Sequence, residues 1–281
     1  MLLDIEPAVF AGADHAPVID VLMMVAKKRH DWHPTLAAAD RLDRFMQGSR
    51  EVKLPVLTEW AQKAFEEAAH PHEDERPAVP VTVAQLEDIV DDLGKAAVLV
   101  VENKLGDGGF VRGVARALGE QRVVDALRKG WLRFSHGGGC GQMAKLAADE
   151  CEAFTLLLRV AILYDGDRYM EGGPSDNDAK AARARAAGVT EVHVLTFREA
   201  ENYLPFPVWE HHFPRRTAQI SVVRSMPPRQ RGYDDLKVRI GKITDPLIPD
   251  AVALTEADFA ELGPDVVAEL RELLAMIHRI L

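Results

Sequence analysis

The chain has 281 residues, enough for one large domain or two modest ones and for a sizeable core. Apolar residues make up 47% and charged residues 28%, which argues against disorder, and a formal net charge of -10 excludes a protein that coats nucleic acid over its whole surface. Two cysteines, Cys140 and Cys151, cannot build a disulfide framework and suit a reducing cytoplasm, where the protein is expected to reside. The acidic start lacks the basic region of a signal peptide, and no apolar run reaches membrane-spanning length.

In chain order, helical spacing appears at 18–28, 35–45 and 58–69. A polar, proline-rich stretch at 70–80 reads as a linker. Thr82 with Gln85 has the spacing of a capping box for a helix ending at Leu93 and Gly94. This gives a helical N-terminal region over 1–80. From 96 onward strands and helices alternate. Residues 96–101 and 159–164 are continuous apolar runs, as in strands buried on both faces. Strands are also expected at 131–135 and 192–196, and helices at 109–118, 141–158 and 176–187. Such alternation implies an α/β fold with a mainly parallel sheet flanked by helices, with ligands at the carboxyl ends of its strands.

Acidic residues gather at those ends. Glu102 follows the first of these strands, Asp165 and Asp167 follow the third, and the fourth leads into Arg198-Glu-Ala-Glu-Asn-Tyr-Leu204. Carboxylates so placed repel one another and are relieved by a hard divalent cation, for which an oxygen-only ligand set selects Mg²⁺ or Mn²⁺. Gly166 lets the backbone turn tightly between the two aspartates. The spacing of Glu199 and Glu201 allows only one to face a metal if the stretch is helical, and both if it is extended; Glu201 is favoured.

A strand ending in Glu and a later strand ending in Asp-x-Asp resemble the Toprim fold of topoisomerases, primases and OLD-type nucleases. The segment 198–205 is similar to the Arg-Glu-x-Glu-Asn-Tyr-Leu motif of OLD-related nucleases found in bacterial anti-phage systems. Val98-Leu-Val-Val-Glu-Asn-Lys104 and Ile162-Leu-Tyr-Asp-Gly-Asp-Arg168 resemble the family's other two elements. The resemblance spans 96–205 and departs from the family at Asn103, which replaces a Gly, and at Gly106, where an Asp is usual. Asp107, one residue late, either reaches the same place or caps a helix. The resemblance implies a domain at 81–212 in which Glu102, Asp165, Asp167 and Glu201 hold Mg²⁺ or Mn²⁺ for phosphodiester hydrolysis, with Lys104 neutralising charge on a phosphoryl oxygen. It also implies an effector of bacterial defence that works beside a separate ATPase, since no Walker-type glycine loop occurs here.

Other signals carry less. His136-Gly-Gly-Gly-Cys-Gly141 lacks the serine elbow of an esterase, and Cys140 has no partner base. His30, His33, His70 and His72 lack neighbouring cysteines. The third region, 213–281, opens with eight basic residues against Asp234 and Asp235 over 213–242, and Arg215, Arg216, Arg229 and Arg231 are expected to contact nucleic acid. It ends in an amphipathic helix at 265–281 that packs on the core or joins two copies into a homo-oligomer. Two alternatives stand beside the nuclease: a metal-dependent nucleotide-sugar transferase using Asp-Gly-Asp, and a non-catalytic Toprim-like interaction module.

Overall fold

The computed structural model describes residues 1–11, 16–48, 55–70, 74, 76–137, 139 and 141–281. The protein is a mixed α/β chain with two parallel sheets flanked by helices, divided between two compact units. Among the described residues no helix is long and apolar enough to cross a membrane.

The first unit holds 1–96, 154–158 and Leu281. Its elements are β1 (Leu2–Ile5), α1 (Ala16–Ala26), β2 (Asp31–Trp32), α2 (Leu36–Gly48), α3 (Pro55–Ala68), β3 (Ala78–Val81) and α4 (Leu86–Gly94). The region expected to be helical therefore also has a three-stranded parallel sheet in the order β2-β1-β3. Pro80 made 70–80 look like a linker, but β3 lies at a sheet edge, where a missing N–H is tolerated. Leu3, Ile5, Val21, Leu22, Trp32, Leu42 and Ile89 form the core. The capping box is replaced by a 3-10 turn at Val83–Gln85, with no side-chain cap from Thr82.

Asp92, fully buried on α4, accepts main-chain N–H groups from Thr155, Leu156 and Leu157 at 2.7–3.1 Å. Burial pushes the Asp92 carboxyl up, but these bonds and the Lys95 ammonium outweigh it and hold the carboxyl below its ordinary range. They also explain why the helix expected over 141–158 ends at Cys151: the next residues give their amides to Asp92.

The second unit holds 97–153 and 159–280. It begins with β4 (Ala97–Val100), α5 (Gly106–Ala117), α6 (Gln121–Arg128), β5 (Leu132–Ser135) and α7 (Met143–Cys151). Then follow β6 (Val160–Tyr164), α8 (Asp176–Ala186) and β7 (Glu191–Val194). The sheet runs β5-β4-β6-β7 with every pairing parallel. Every residue of the central strands β4 and β6 is buried, as their unbroken apolar runs require, whereas the edges β5 and β7 are partly open.

Short helices follow: α9 (Phe206–His212), α10 (Thr217–Ser225), α11 (Pro228–Arg231), α12 (Leu236–Arg239) and α13 (Glu256–Ala260). The last helix, α14 (Val266–Ile280), lays its apolar face across β4, β6 and β7, so it packs on the core. Glycines on α5 admit the segment 246–248 against bare helix backbone. A Cβ on Gly109 would fall 2.6 Å from Pro246 and one on Gly113 2.4 Å from Ile248. That approach brings the chain around Lys242 to the carboxyl edge of the sheet.

Candidate active site

The loops after β4, β6 and β7 converge on a cavity of about 280 Å³. Glu102, Asp107, Asp165, Asp167, Glu199 and Glu201 line it, with Lys237 and Lys242 as its cations. All four expected metal ligands are thus in one place, and Asp107 joins them.

After β4 the chain closes the first turn of α5 on itself. Asn103 accepts N–H groups from Leu105 at 3.0 Å and Gly106 at 3.2 Å, and Asp107 accepts that of Asn103 at 2.8 Å. Asp107 therefore does both jobs left open by the sequence. It caps the turn and faces the cavity.

After β6, Asp165 accepts the Ala200 N–H at 2.9 Å, which ties β6 to the turn beyond β7. Gly166 is obligatory for a different reason from turn flexibility alone: a Cβ there would lie 2.0 Å from the Phe197 carbonyl oxygen. Asp167 adopts a left-handed φ of 50°, and its N–H donates to the Arg198 carbonyl at 2.8 Å. Buried Asn177, which sequence reasoning missed, donates to the Asp167 carboxylate at 2.8 Å and the Asp165 carbonyl at 2.9 Å. Its only sequence signal is its place in the first turn of a helix capped by Ser175.

After β7 the motif 198–204 divides its labour. Glu199 is extended, with φ -147° and ψ 163°, and caps a 3-10 turn at Ala200–Tyr203 through a reciprocal box with Asn202. Because Glu199 precedes the turn, the helical angle between it and Glu201 does not apply, and both face the cavity. Asn202 donates to the Arg231 and Asp234 carbonyls, and Arg198 pairs with Asp235 at 2.9 Å. Tyr203 donates to Glu269 at 2.6 Å. Arg168 pairs with Asp178 at 2.6 Å and is structural.

These bonds seat α12, whose Asp235 cap accepts the Val238 N–H at 3.0 Å. Lys237 then reaches Glu199 at 3.2 Å and Glu201 at 3.1 Å. Lys104 is exposed and lies outside the cavity lining. The cations of the lining are Lys237 and Lys242 instead, and Lys237 comes from a four-residue helix with no periodicity to betray it.

The electrostatics reflect crowding. Burial, then the neighbouring Glu201 and Glu102 carboxylates, push the Asp107 carboxyl up to about 6 against the pull of the Asn103 amide. Burial, then Asp107 and Glu201, carry Asp165 well above the carboxylate range. Burial also raises Glu199, although Lys237 opposes it. Burial works against the Lys237 charge, but Glu201 and Glu199 outweigh it and hold the ammonium protonated. The donor set suits a hard divalent cation, because it is all oxygen and short of positive charge. As the side chains stand, among the described residues no three carboxylate, histidine or cysteine groups are arranged to hold an ion. Uptake of one therefore requires side chains lining the cavity to move.

The basic segment is largely committed internally. Arg231 is 4% exposed, donates to the Leu262 and Glu261 carbonyls and lies over Phe206, so it is a core side chain and not a phosphate contact. Arg216 donates to the Ile240 carbonyl and covers Phe213. Arg229 is exposed, 3.4 Å from Glu171, and Arg215 is exposed. Cys140 and His72 lie outside the described residues; burial pushes the Cys151 thiol up, away from reactivity. His30 is buried against the Leu93 carbonyl, and His33 pairs with Asp74 at 3.3 Å. No protein-family model, no curated protein and no solved structure matches the chain.

Proposed function

We propose that this cavity is the catalytic centre of a Mg²⁺- or Mn²⁺-dependent nuclease of the Toprim-like, OLD-related kind, acting as a bacterial defence effector. The observation that carries the reading is the convergence of six carboxylates from three strand ends on one cavity, with Asp107 and Asp165 driven up by burial and repulsion. Glu102, Asp165, Asp167 and Glu201 would hold the metal. When bound, it would lower the pKa of an attacking water and offset charge on the leaving oxygen. The chain's own groups do the rest. Asn177 orients Asp167, the Ala200 amide orients Asp165, and Lys237 offers an ammonium to a phosphoryl oxygen once the carboxylates release it.

The test incubates purified protein with plasmid, single-stranded DNA and tRNA, each with Mg²⁺, Mn²⁺ or chelator. Cleavage is expected with metal and lost with chelator, with Glu201→Gln and with Asp165→Asn, while Cys140→Ser retains it. Cleavage that survives chelator, or cleavage of none of the three substrates, refutes the reading. One observation favours the non-catalytic module instead: Lys237 already bridges Glu199 and Glu201 in the manner of an internal counter-ion. Calorimetry separates the two, because a module sealed by Lys237 takes up neither Mg²⁺ nor Mn²⁺.

A further inference from the structure

The loop after Asp167 carries two side chains that phosphodiester hydrolysis leaves unused. Tyr169 is 74% exposed and Met170 65% exposed. Tyr169 is nevertheless held in place. The Arg198 guanidinium lies 4.7 Å from its ring centroid, and Arg198 is itself fixed by Asp235. One face of the ring therefore rests on a cation, and the other is open to solvent.

Both partners adjoin the carboxylate cavity along the chain. Asp167 stands two residues before Tyr169, within about 7 Å of backbone, and Glu199 directly follows Arg198. Beside the ring is a recess of about 310 Å³, lined by Tyr169, Met170, Gln230, Tyr233, Arg229 and Arg239. Its arginines are balanced, Arg229 by Glu171 and Arg239 by Asp234. The recess thus offers little net charge to an ion. It offers a flat, cation-backed π face, which suits a planar aromatic group. Next to a centre that cleaves phosphodiesters, the planar group at hand is a nucleobase. In a duplex that face is occupied by the base's own stack, so the base must be unpaired.

We propose that Tyr169, backed by Arg198, is a stacking platform for an unpaired nucleobase, and that the substrate class is single-stranded nucleic acid. The inference rests on the nuclease reading and adds to it which strand state is bound.

The experiment measures binding by fluorescence anisotropy in chelator, so that no cleavage intervenes. The probes are a labelled oligothymidylate and the same strand annealed to oligoadenylate. Wild-type protein is expected to prefer the single strand. Tyr169→Ala is expected to weaken single-strand binding by about 5- to 150-fold, the usual loss for one stacked base. Tyr169→Phe keeps the ring and retains wild-type affinity. Equal single-strand binding by Tyr169→Ala and wild type overturns the platform while leaving the nuclease reading intact, provided wild type still cleaves with Mg²⁺. Preference for the duplex overturns it likewise. If wild type neither binds nor cleaves any nucleic acid, the nuclease reading falls and the platform falls with it. Retention of the wild-type unfolding midpoint in both variants confirms that folding is not what changed.

Discussion

Replacing Asp107 with Asn should make the metal-free protein more stable, and only above a definite pH. The carboxyl sits at about 6 in the folded protein against an ordinary value of 3.8. Its folded form holds the proton more tightly, so stability falls as pH rises from 3.8 through about 6, and the penalty is complete above that. At 1.36 kcal/mol per pH unit the full penalty is about 3 kcal/mol at pH 8, shrinking to about 0.5 kcal/mol at pH 4. Asp107→Asn removes the charge but leaves an oxygen to accept the Asn103 N–H. Urea unfolding with chelator across pH 4–8 should therefore show two curves that nearly meet at the acid end and separate toward neutrality. Mg²⁺ at about 100 times its dissociation constant should add about 2.7 kcal/mol to the stability of wild type if the cavity binds it. A variant less stable than wild type at pH 8 would mean that the carboxylate is chiefly a structural acceptor. A gap independent of pH would mean that repulsion and burial are not its source.

Lys237→Met should destabilise the metal-free protein by about 1.5–3 kcal/mol in urea at pH 8, because it leaves Glu199 and Glu201 facing each other without their shared donor. Since the Lys237 pKa is raised, that contribution is fully present below its ordinary value of 10.5, so the loss should be the same at pH 7 and pH 9. Gly166→Ala should cost more than about 2 kcal/mol, as backbone must move to admit the Cβ, and circular dichroism melting should register it. Arg231→Ala should lower the unfolding midpoint yet leave the salt dependence of nucleic-acid binding unchanged. Arg215→Ala with Arg229→Ala should lower the slope of log affinity against log salt by about 1.4–1.8 if each meets one phosphate.

How much could be read beforehand followed from where each signal is stored. The strands β4 and β6 were legible because burial on both faces writes an unbroken apolar run. The first unit's strands were not, since two to four residues carry no period and Pro80 disguises an edge. Glu102, Asp165 and Asp167 were legible because each stands within three residues of the end of a buried strand. The paired roles of Glu199 and Glu201 depend on the backbone entering a 3-10 turn between them, which residue spacing does not encode. Lys237 reaches the cavity only because Asn202 and Arg198 seat α12, a long-range arrangement with no local trace. Arg231 was misread because composition counts charges without saying which are buried.

The three amides held by Asp92 set an order of events for a chain emerging from the ribosome. The first unit needs residues 154–158, which are made only after β4, α5, α6, β5 and α7. The Asp92 carboxylate gains its main-chain donors only once Leu157 has left the exit tunnel. A nascent chain of about 150 residues already carries the Lys95 donor to Asp92 but not the three amides of 155–157. The same threading defeats dissection at Ala96. A fragment beginning at Ala97 would carry Thr155, Leu156 and Leu157 without their acceptor, immediately upstream of the strand that delivers Asp165. Because residues 154–158 belong to the first unit, no single cut divides the chain into its two units.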